Sequence, residues 1–328
     1  MADIPKYLDA AAAGGGNGDS PATAYDTVAA VVAGVTDKDL VTQTGRLLLK
    51  VAAGTYGQLK LGSGWTVSAD YYIDIEPYSG DENNVLFESG LFFGAMHVEE
   101  QYTRIRDINS NSTGTGSTRP GLYVGASFCT FERLDCQGNS HATGGDGIYC
   151  AFDDGNLDAC VTHDSGAAGL EMTNFANWIV KNHTSYANTG IGMISGTSGG
   201  TLVAYNSVSY GNTGAAWSGT RWTGTYNSSD DSTAPGTSIV DDALVSGDFE
   251  NYPTDVSPST SGSLYHSGDT TNAPTTAINQ VAYNNPPSCG AYEVSGAPAS
   301  GRIMGSIAGL GGLAGMGGIA GHGGGLAG

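Results

Sequence analysis

The sequence predicts an all-β solenoid, an elongated fold in which short strands stack in successive coils. Between Gly121 and Gly214 one pattern recurs five times: a Gly, a short apolar strand, a polar turn, a second apolar strand, and a corner rich in Asn, Ser and Thr. The starts of the pattern lie 26, 22, 21 and 24 residues apart, which suits one coil and is too short for an independent unit. Glycine, at 52 of 328 residues, favours tight turns over long helices.

The N-terminal segment, residues 1–45, is predicted to contain a strand and a short capping helix. Ser20-Pro21 is a helix-start signal, and apolar residues recur at helical spacing from Ala22 to Val35. The helix should end near Gly34. We expect it to cover the first hydrophobic layer, because a solenoid must shield its terminal coil from water.

Two further segments complete the solenoid. Residues 46–245 should form the coils, and at roughly 22 residues each they would make about nine coils. Residues 246–295 break the pattern and contain five of the eleven prolines, so we expect them to close the solenoid or to run back along it.

A Gly-rich tail follows at residues 296–328, in which an apolar side chain recurs at every third position. Period three fits a threefold extended helix of the polyproline II or polyglycine II type. We predict that this apolar ridge anchors the chain to partner proteins. A flexible linker and a collagen-like homotrimer remain alternatives. The predicted partner-binding residues are Met304, Ile307, Leu310, Leu313, Met316 and Ile319.

The charge balance limits the partners of the chain. With 32 acidic and 12 basic residues the formal net charge is −20, which excludes nucleic acid as a ligand because such binding needs Lys and Arg to neutralise phosphates. The sequence predicts no cofactor, although calcium binding along an acidic solenoid stays open. It contains no apolar run long enough to span a membrane and no secretory signal at its start.

The five cysteines lack metal-binding spacing. They are predicted to be buried free thiols, with disulfides as the alternative, because four of them fall at inward positions of the repeats. The four are Cys129, Cys136, Cys150 and Cys160, and the fifth is Cys289.

Two stretches of the chain resemble the right-handed parallel β-helix, or pectate-lyase-like, superfamily. One is YLDAAAAGGGNGDSPATAYDTVAAVVAG near the start, and the other is SGSLYHSGDTTNAPTTAINQVAYNNPPSCGAYE at residues 261–293. The resemblance implies a single-stranded right-handed parallel β-helix. It does not select an activity, because the same scaffold carries lyases, hydrolases, epimerases, adhesins and phage spikes.

The resemblance also indicates where to look for catalysis. Lyases of this superfamily use an acidic calcium cluster and an Arg or Lys base on neighbouring coils. Asp153, Asp154 and Asp158 form an acidic group, but no Arg or Lys occurs between Arg133 and Lys181, which argues against lyase chemistry.

Glycoside hydrolysis needs two carboxylates about 5 to 9 Å apart. Asp153 paired with Asp164 or Glu171 on an adjacent coil would satisfy that requirement. Plain solvated turns are the alternative interpretation of these acidic residues.

The sequence leads to a main functional hypothesis and two alternatives. The main one is a non-enzymatic virion structural protein, such as a phage decoration protein, head fibre or tail spike, whose tail anchors it to other virion proteins. The first alternative is a polysaccharide lyase or glycoside hydrolase, and the second is a non-catalytic adhesin for cell-surface polysaccharide. We expect location in the virion or outside the cell, and the oligomeric state stays open.

Overall fold

The computed structural model describes residues 1–62, 64–116, 119–173, 177–197 and 199–294. The chain winds through three parallel sheets, passing from sheet A to sheet B to sheet C in each coil. Sheet A contains β1 (Ala2–Leu8), β2 (Gly45–Val51), β5 (Ile73–Pro77), β8 (Thr103–Arg106), β11 (Cys129–Glu132), β14 (Gly155–Asp158), β17 (Trp178–Lys181), β20 (Leu202–Tyr205) and β23 (Trp222–Thr225). Sheet B contains β3 (Gly54–Tyr56), β6 (Val85–Ser89), β9 (Asn109–Ser112), β12 (Asp135–Gln137), β15 (Val161–His163), β18 (Thr184–Tyr186), β21 (Val208–Tyr210) and β24 (Ser228–Ser229). Sheet C contains β4 (Leu59–Leu61), β7 (Met96–Val98), β10 (Leu122–Val124), β13 (Ile148–Cys150), β16 (Leu170–Met172), β19 (Met193–Ser195) and β22 (Trp217–Ser218).

The number of coils is smaller than predicted. Sheets A, B and C have nine, eight and seven strands, so fewer coils complete all three sheets than the nine expected. The predicted number of coils was wrong because long connections, such as the one between β4 and β5, make some coils longer than 22 residues without adding strands.

In four consecutive coils a Gly directly precedes the strand of sheet C: Gly121, Gly147, Gly169 and Gly192. Sheets B and C approach closely inside the solenoid, and a Cβ atom at Gly169 would lie 2.1 Å from Ser185 Oγ. At Gly192 it would lie 1.9 Å from Ser209 Oγ. The repeat starts at Gly190 and Gly214 are each two residues too early, because Gly192 and Ala216 are the residues equivalent to Gly169.

The corner from sheet A to sheet B is almost invariant. In all but one of the coils it has two residues, and the first of them has a left-handed conformation in most of the coils. Polar side chains connect consecutive corners here, because Asn206 Nδ2 donates to Asn182 Oδ1 at 3.2 Å. The left-handed residues are Asp107, Arg133, Ala159, Asn182, Asn206 and Tyr226.

The N-terminal end is covered as the sequence predicts. Helix α1 (Val28–Gly34) begins after Thr27, whose side chain accepts a hydrogen bond from the Ala30 amide, as an N-cap does. Val28 and Val31 are buried against the first coils. The helix therefore shields the apolar interior at this end.

The closing segment, residues 246–294, begins with a hairpin of β25 (Phe249–Asn251) and β26 (Asp255–Pro258) and packs on the outer face of sheet B. It forms a second core with Val161, Tyr186 and Val208 of that sheet. Asn83 Nδ2 donates to the Ile278 carbonyl at 3.0 Å, and Asn182 Nδ2 donates to the Ser288 carbonyl at 3.0 Å. The segment therefore runs along several coils.

The cysteines are free thiols, and all five are buried. Burial raises the pKa of Cys129, Cys160 and Cys289 to about 12, so these thiols stay protonated and unreactive at neutral pH. In the described part of the chain, no helix combines the length and apolar character that crossing a membrane requires.

His163 is predicted to make folding stability depend on pH. Burial alone would lower its pKa, but Asp135 and Asp164, each 2.8 Å from a ring nitrogen, outweigh burial and raise the pKa to about 10. The stabilisation is complete below the unfolded pKa of about 6.5 and is lost as pH rises towards 10. Between pH 6 and pH 10 the free energy of unfolding should fall by on the order of 3 kcal/mol more in the wild type than in His163→Gln. Denaturant titrations of both proteins at pH 6 and pH 10 measure this difference. An equal fall in the free energy of unfolding in the two proteins would contradict the ion pairs.

Candidate functional site

A groove crosses the outer face of sheet A along the solenoid axis. It encloses about 550 Å³. Its lining comes from strands β8, β11, β14, β17 and β20 and from the residues directly before the strands of sheet A from β5 to β20. One part is aromatic and the other polar. The lining includes Tyr72, Tyr102, Arg104, Phe128, Thr130, Asp154, Asn156, Asn177, Ile179, Thr201 and Val203.

Three residues at equivalent places in successive coils line this groove in a strained conformation. Tyr102, Phe128 and Asp154 directly precede β8, β11 and β14, and their φ angles are +50°, +61° and +58°. Positive φ is unfavourable for bulky side chains and is concentrated at functional sites. The rings of Tyr102 and Phe128 stack at 5.0 Å with planes 13° apart, so the strained backbone builds a continuous aromatic wall.

Beside the groove lies a row of four charged residues, here called the charged row, in which two acidic side chains are flanked by two basic ones: Arg106, Glu132, Asp158 and Lys181. These residues are paired in register on β8, β11, β14 and β17, and all project from the outer face of sheet A. Adjacent strands lie about 4.8 Å apart, so the two carboxyl groups at the centre of the row are close neighbours.

The two central carboxyl groups have unlike surroundings. Burial raises the pKa of Asp158 to about 6; Lys181, at 3.9 Å, opposes the shift and the charge of Glu132 adds to it. Glu132 instead faces two guanidinium groups, with Arg133 Nη1 at 3.6 Å and Arg104 Nε at 3.9 Å. One carboxyl group can therefore hold a proton near neutral pH, and the neighbouring one lies beside two guanidinium groups.

The predicted acidic residues fall on different faces of the coil. Asp154 lines the groove and Asp158 belongs to the charged row. Asp153 lies in the turn between β13 and β14. The structure does not pair Asp153 with Asp164 or Glu171. Asp164 directly follows β15 of sheet B, Glu171 lies within β16 of sheet C, and each has other neighbours.

Those other neighbours are part of the structure of each sheet. Asp164 binds His163 at the end of β15, where the pair contributes to the stability described above. Glu171 faces outward from sheet C in register with Tyr149, and burial raises its pKa. Asp146 beside it is fully buried, which raises its pKa to about 7, with the charge of Glu171 as a further cause.

Sequence reasoning did not predict Glu132, Arg104 or Lys181 as site residues. No Arg or Lys occurs between Arg133 and Lys181, but coil stacking places Lys181 beside Asp158 and Arg104 beside Glu132. A signal was present: adding one coil length to Glu132 leads to Asp158, and adding another leads to Lys181.

Two other predictions concern partners and metals. The proposed anchor residues Met304 to Ile319 lie outside the described residues, so the anchor stays a prediction. Within the described ranges, no cluster of three or more His, Cys, Asp or Glu side chains is arranged to hold a metal ion.

Comparison with solved structures gives the fold. Pectate lyase Pel9A has a TM-score of 0.50 and 14% sequence identity, covering 88% of this chain and 96% of its own. The chain is a right-handed parallel β-helix. Pectin methylesterase PemA from Erwinia chrysanthemi has a TM-score of 0.39 and 9% identity over 71% of this chain and 90% of its own. Rice weevil pectin methyl esterase has a TM-score of 0.36 and 12% identity over 65% and 78%. Neither known protein families nor curated proteins match the sequence.

Proposed function

We propose that the protein binds an extended polysaccharide in the groove on sheet A and hydrolyses its glycosidic bonds. The observation that carries this proposal is the pair Glu132 and Asp158, two neighbouring carboxyl groups with opposite surroundings, beside an aromatic groove. Pel9A and the pectin methylesterases are named for action on pectic polysaccharides, which agrees with the polysaccharide-acting alternative better than with a non-enzymatic virion role.

The shape of the groove suits a linear polymer. The strands from β5 to β20 include six of sheet A, and five steps of about 4.8 Å give about 24 Å along the axis. The groove has an aromatic part and a polar part along this length, which suits a ligand with apolar ring faces and many hydroxyl groups. The net charge of −20 favours an uncharged polysaccharide over a polyanion.

The chemistry follows from the environments of the two groups. Asp158, protonated below about pH 6, donates its proton to the glycosidic oxygen while the carboxylate of Glu132 attacks the anomeric carbon. The bond from that carbon to oxygen breaks, and a glycosyl ester with Glu132 forms. The Asp158 carboxylate then takes a proton from water, whose oxygen displaces Glu132 and releases the sugar.

The spacing indicates the stereochemical course. Side chains in register on adjacent strands have a spacing of about 4.8 Å at the backbone, close to the roughly 5 to 5.5 Å between carboxyl groups in retaining glycosidases. We therefore expect retention of anomeric configuration, with Glu132 as nucleophile.

A panel of neutral and acidic polysaccharides tests the proposal. Wild-type protein should release reducing ends from at least one neutral polysaccharide, and Glu132→Gln should lose at least about 10³-fold in kcat because the nucleophile is gone. Glu88→Gln is the matched control, since Glu88 is exposed on β6 of sheet B. Products that absorb as unsaturated sugars would indicate elimination and would refute hydrolysis, as would the absence of cleavage across the whole panel.

Attachment to a virion through the tail stays a separate prediction. It rests on the period-three apolar pattern of residues 304–319 and does not depend on the groove.

A further inference from the structure

We propose that Arg133 is a positioning residue for Glu132 and that the closing segment holds Arg133 in place through Gln280 and Asp107. The inference rests on the proposed hydrolysis at Glu132 and extends the site to a chain of contacts that crosses from sheet A to residues 246–294. Four side chains form this chain of contacts in order: Gln280, Asp107, Arg133 and Glu132.

Each contact in the chain has directed geometry. Arg133 Nε donates to Asp107 Oδ1 at 2.6 Å, and Arg133 Nη2 donates to Asp107 Oδ2 at 2.9 Å. This two-pronged arrangement fixes the guanidinium plane. The remaining nitrogen, Nη1, lies 3.6 Å from Glu132 Oε2, so the same plane sets the orientation of the carboxylate.

The closing segment supplies the last contact. Gln280 Nε2 donates to Asp107 Oδ1 at 2.6 Å, across 173 residues of sequence. Gln280 has φ of +64°, an unfavourable angle for a residue other than Gly, which the backbone adopts where it turns at this contact. Asp107 is therefore held from two sides and cannot rotate away from Arg133.

The turn at the corner after β11 does not itself require an arginine. Arg133 is the left-handed first residue of the corner after β11, where the corresponding residues of the following coils are Ala159, Asn182 and Asn206. Shorter side chains are sufficient for the turn itself. Arg133 is only 15% exposed at its side chain, and its hydrogen bonds and ion pairs are committed to Asp107 and Glu132.

Burial alone would lower the pKa of Arg133, but its hydrogen bonds to Asp107 and the charges of Asp107 and Glu132 raise it. The guanidinium thus stays charged in a largely buried corner. Its removal would leave Glu132 with Arg104 as the neighbouring cation, beside the repelling carboxyl group of Asp158.

Three variants test the contact chain in the full-length protein. Arg133→Gln should lower kcat about 100-fold with little change in KM, because a misplaced nucleophile affects the transition state more than binding. Arg133→Lys should lose less of kcat than Arg133→Gln, since the charge remains without the two-pronged bond.

The third variant, Gln280→Ala, should lower kcat in the same direction by a smaller factor. Asn83→Ala is its matched control, because it removes a comparable contact of the closing segment, to the Ile278 carbonyl, and leaves every contact of the Asp107 side chain in place; the backbone amide of residue 83 still donates to the Asp107 carbonyl. Equal kcat in Gln280→Ala and Asn83→Ala, or a raised KM with unchanged kcat in Arg133→Gln, would overturn the inference.

A measurement without turnover separates this inference from the proposed function. The ¹³C carboxyl resonance of Glu132 in glutamate-labelled protein, recorded at one fixed pH, should move in Arg133→Gln and in Gln280→Ala but not in Asn83→Ala, because the first two variants disturb the contacts that orient this side chain. If no polysaccharide is cleaved but the resonance moves in this pattern, hydrolysis fails and the contact chain stands. If cleavage occurs but the resonance does not move, the contact chain fails and hydrolysis stands.

Discussion

Replacing Asp158 by Asn is expected to abolish hydrolysis and at the same time to raise the free energy of unfolding at neutral pH. Activity should fall by about 10³-fold or more, since the amide cannot donate the proton that the leaving oxygen needs. Stability should rise because burial raises the pKa of the wild-type carboxyl group to about 6, above the roughly 3.9 of an Asp side chain in water. Ionising it in the folded state at pH 7 costs on the order of 1 to 2 kcal/mol.

The sign of the stability change depends on pH. A carboxyl group with a raised folded pKa favours the folded state most below its unfolded pKa, and this advantage is lost as pH rises through about 6. The gain from Asp158→Asn should therefore appear above pH 6 and vanish near pH 4. Guanidinium unfolding at pH 4, 6 and 8 measures it.

Lys181 provides the control for this prediction. Lys181→Met removes the cation 3.9 Å from Asp158 and should lower stability at pH 8, because the Asp158 charge then lacks its partner. If Asp158→Asn destabilises the protein at pH 8, Asp158 is a structural ion-pair partner and the assignment as general acid is wrong.

Replacing Trp178 by Ala should produce the largest loss of stability among single substitutions near the groove. Trp178 is fully buried beneath the groove, and its ring stacks on Phe131 at 6.3 Å with planes 8° apart. Its Nε1 donates to the Phe152 carbonyl at 3.0 Å. The loss should be about 3 to 5 kcal/mol, because the large cavity left between coils cannot collapse onto rigid strands.

The neighbouring Ile179→Ala variant is the matched control for Trp178→Ala. Ile179 is 39% exposed and points into the groove from the same strand, so its loss should cost less than about 1 kcal/mol in stability. It should weaken polysaccharide binding in the groove while leaving the coil intact. Similar unfolding midpoints for the two variants in guanidinium would show that the ring of Trp178 contributes little to packing.

The fold was accessible from the sequence because its cause is local and periodic. Four consecutive coils have a Gly directly before the strand of sheet C, as at Gly169 opposite Ser185, so this steric requirement recurs in the sequence at intervals of one coil. The capping helix was predictable in part: it ends at Gly34 as expected, but Ser20-Pro21 opens only the short 3-10 helix Pro21–Thr23, and the α-helix begins after Thr27.

The site was not accessible in the same way. Which residues of consecutive coils become neighbours depends on the length of every connection, and the lengths differ: Glu132 and Asp158 are 26 residues apart, whereas Asp158 and Lys181 are 23 apart. Sequence proximity therefore selected Asp153 as the partner of Asp164, although the turns of the coil carry those two residues to different faces. The contact of Gln280 with Asp107 has no sequence signal, because residues 246–294 do not repeat.

The two-residue corner between sheets A and B has an evolutionary consequence. An insertion there would push the closing segment off the coil and break the contact from Gln280 to Asp107. The connections from sheet B to sheet C and from sheet C to sheet A already vary in length from coil to coil, and Phe128 and Asp154 of the groove lie in the latter. Changes in these loops, whether natural or introduced by loop grafting, can therefore alter ligand preference on one side of the groove. The side that carries Glu132 and Asp158 keeps its geometry.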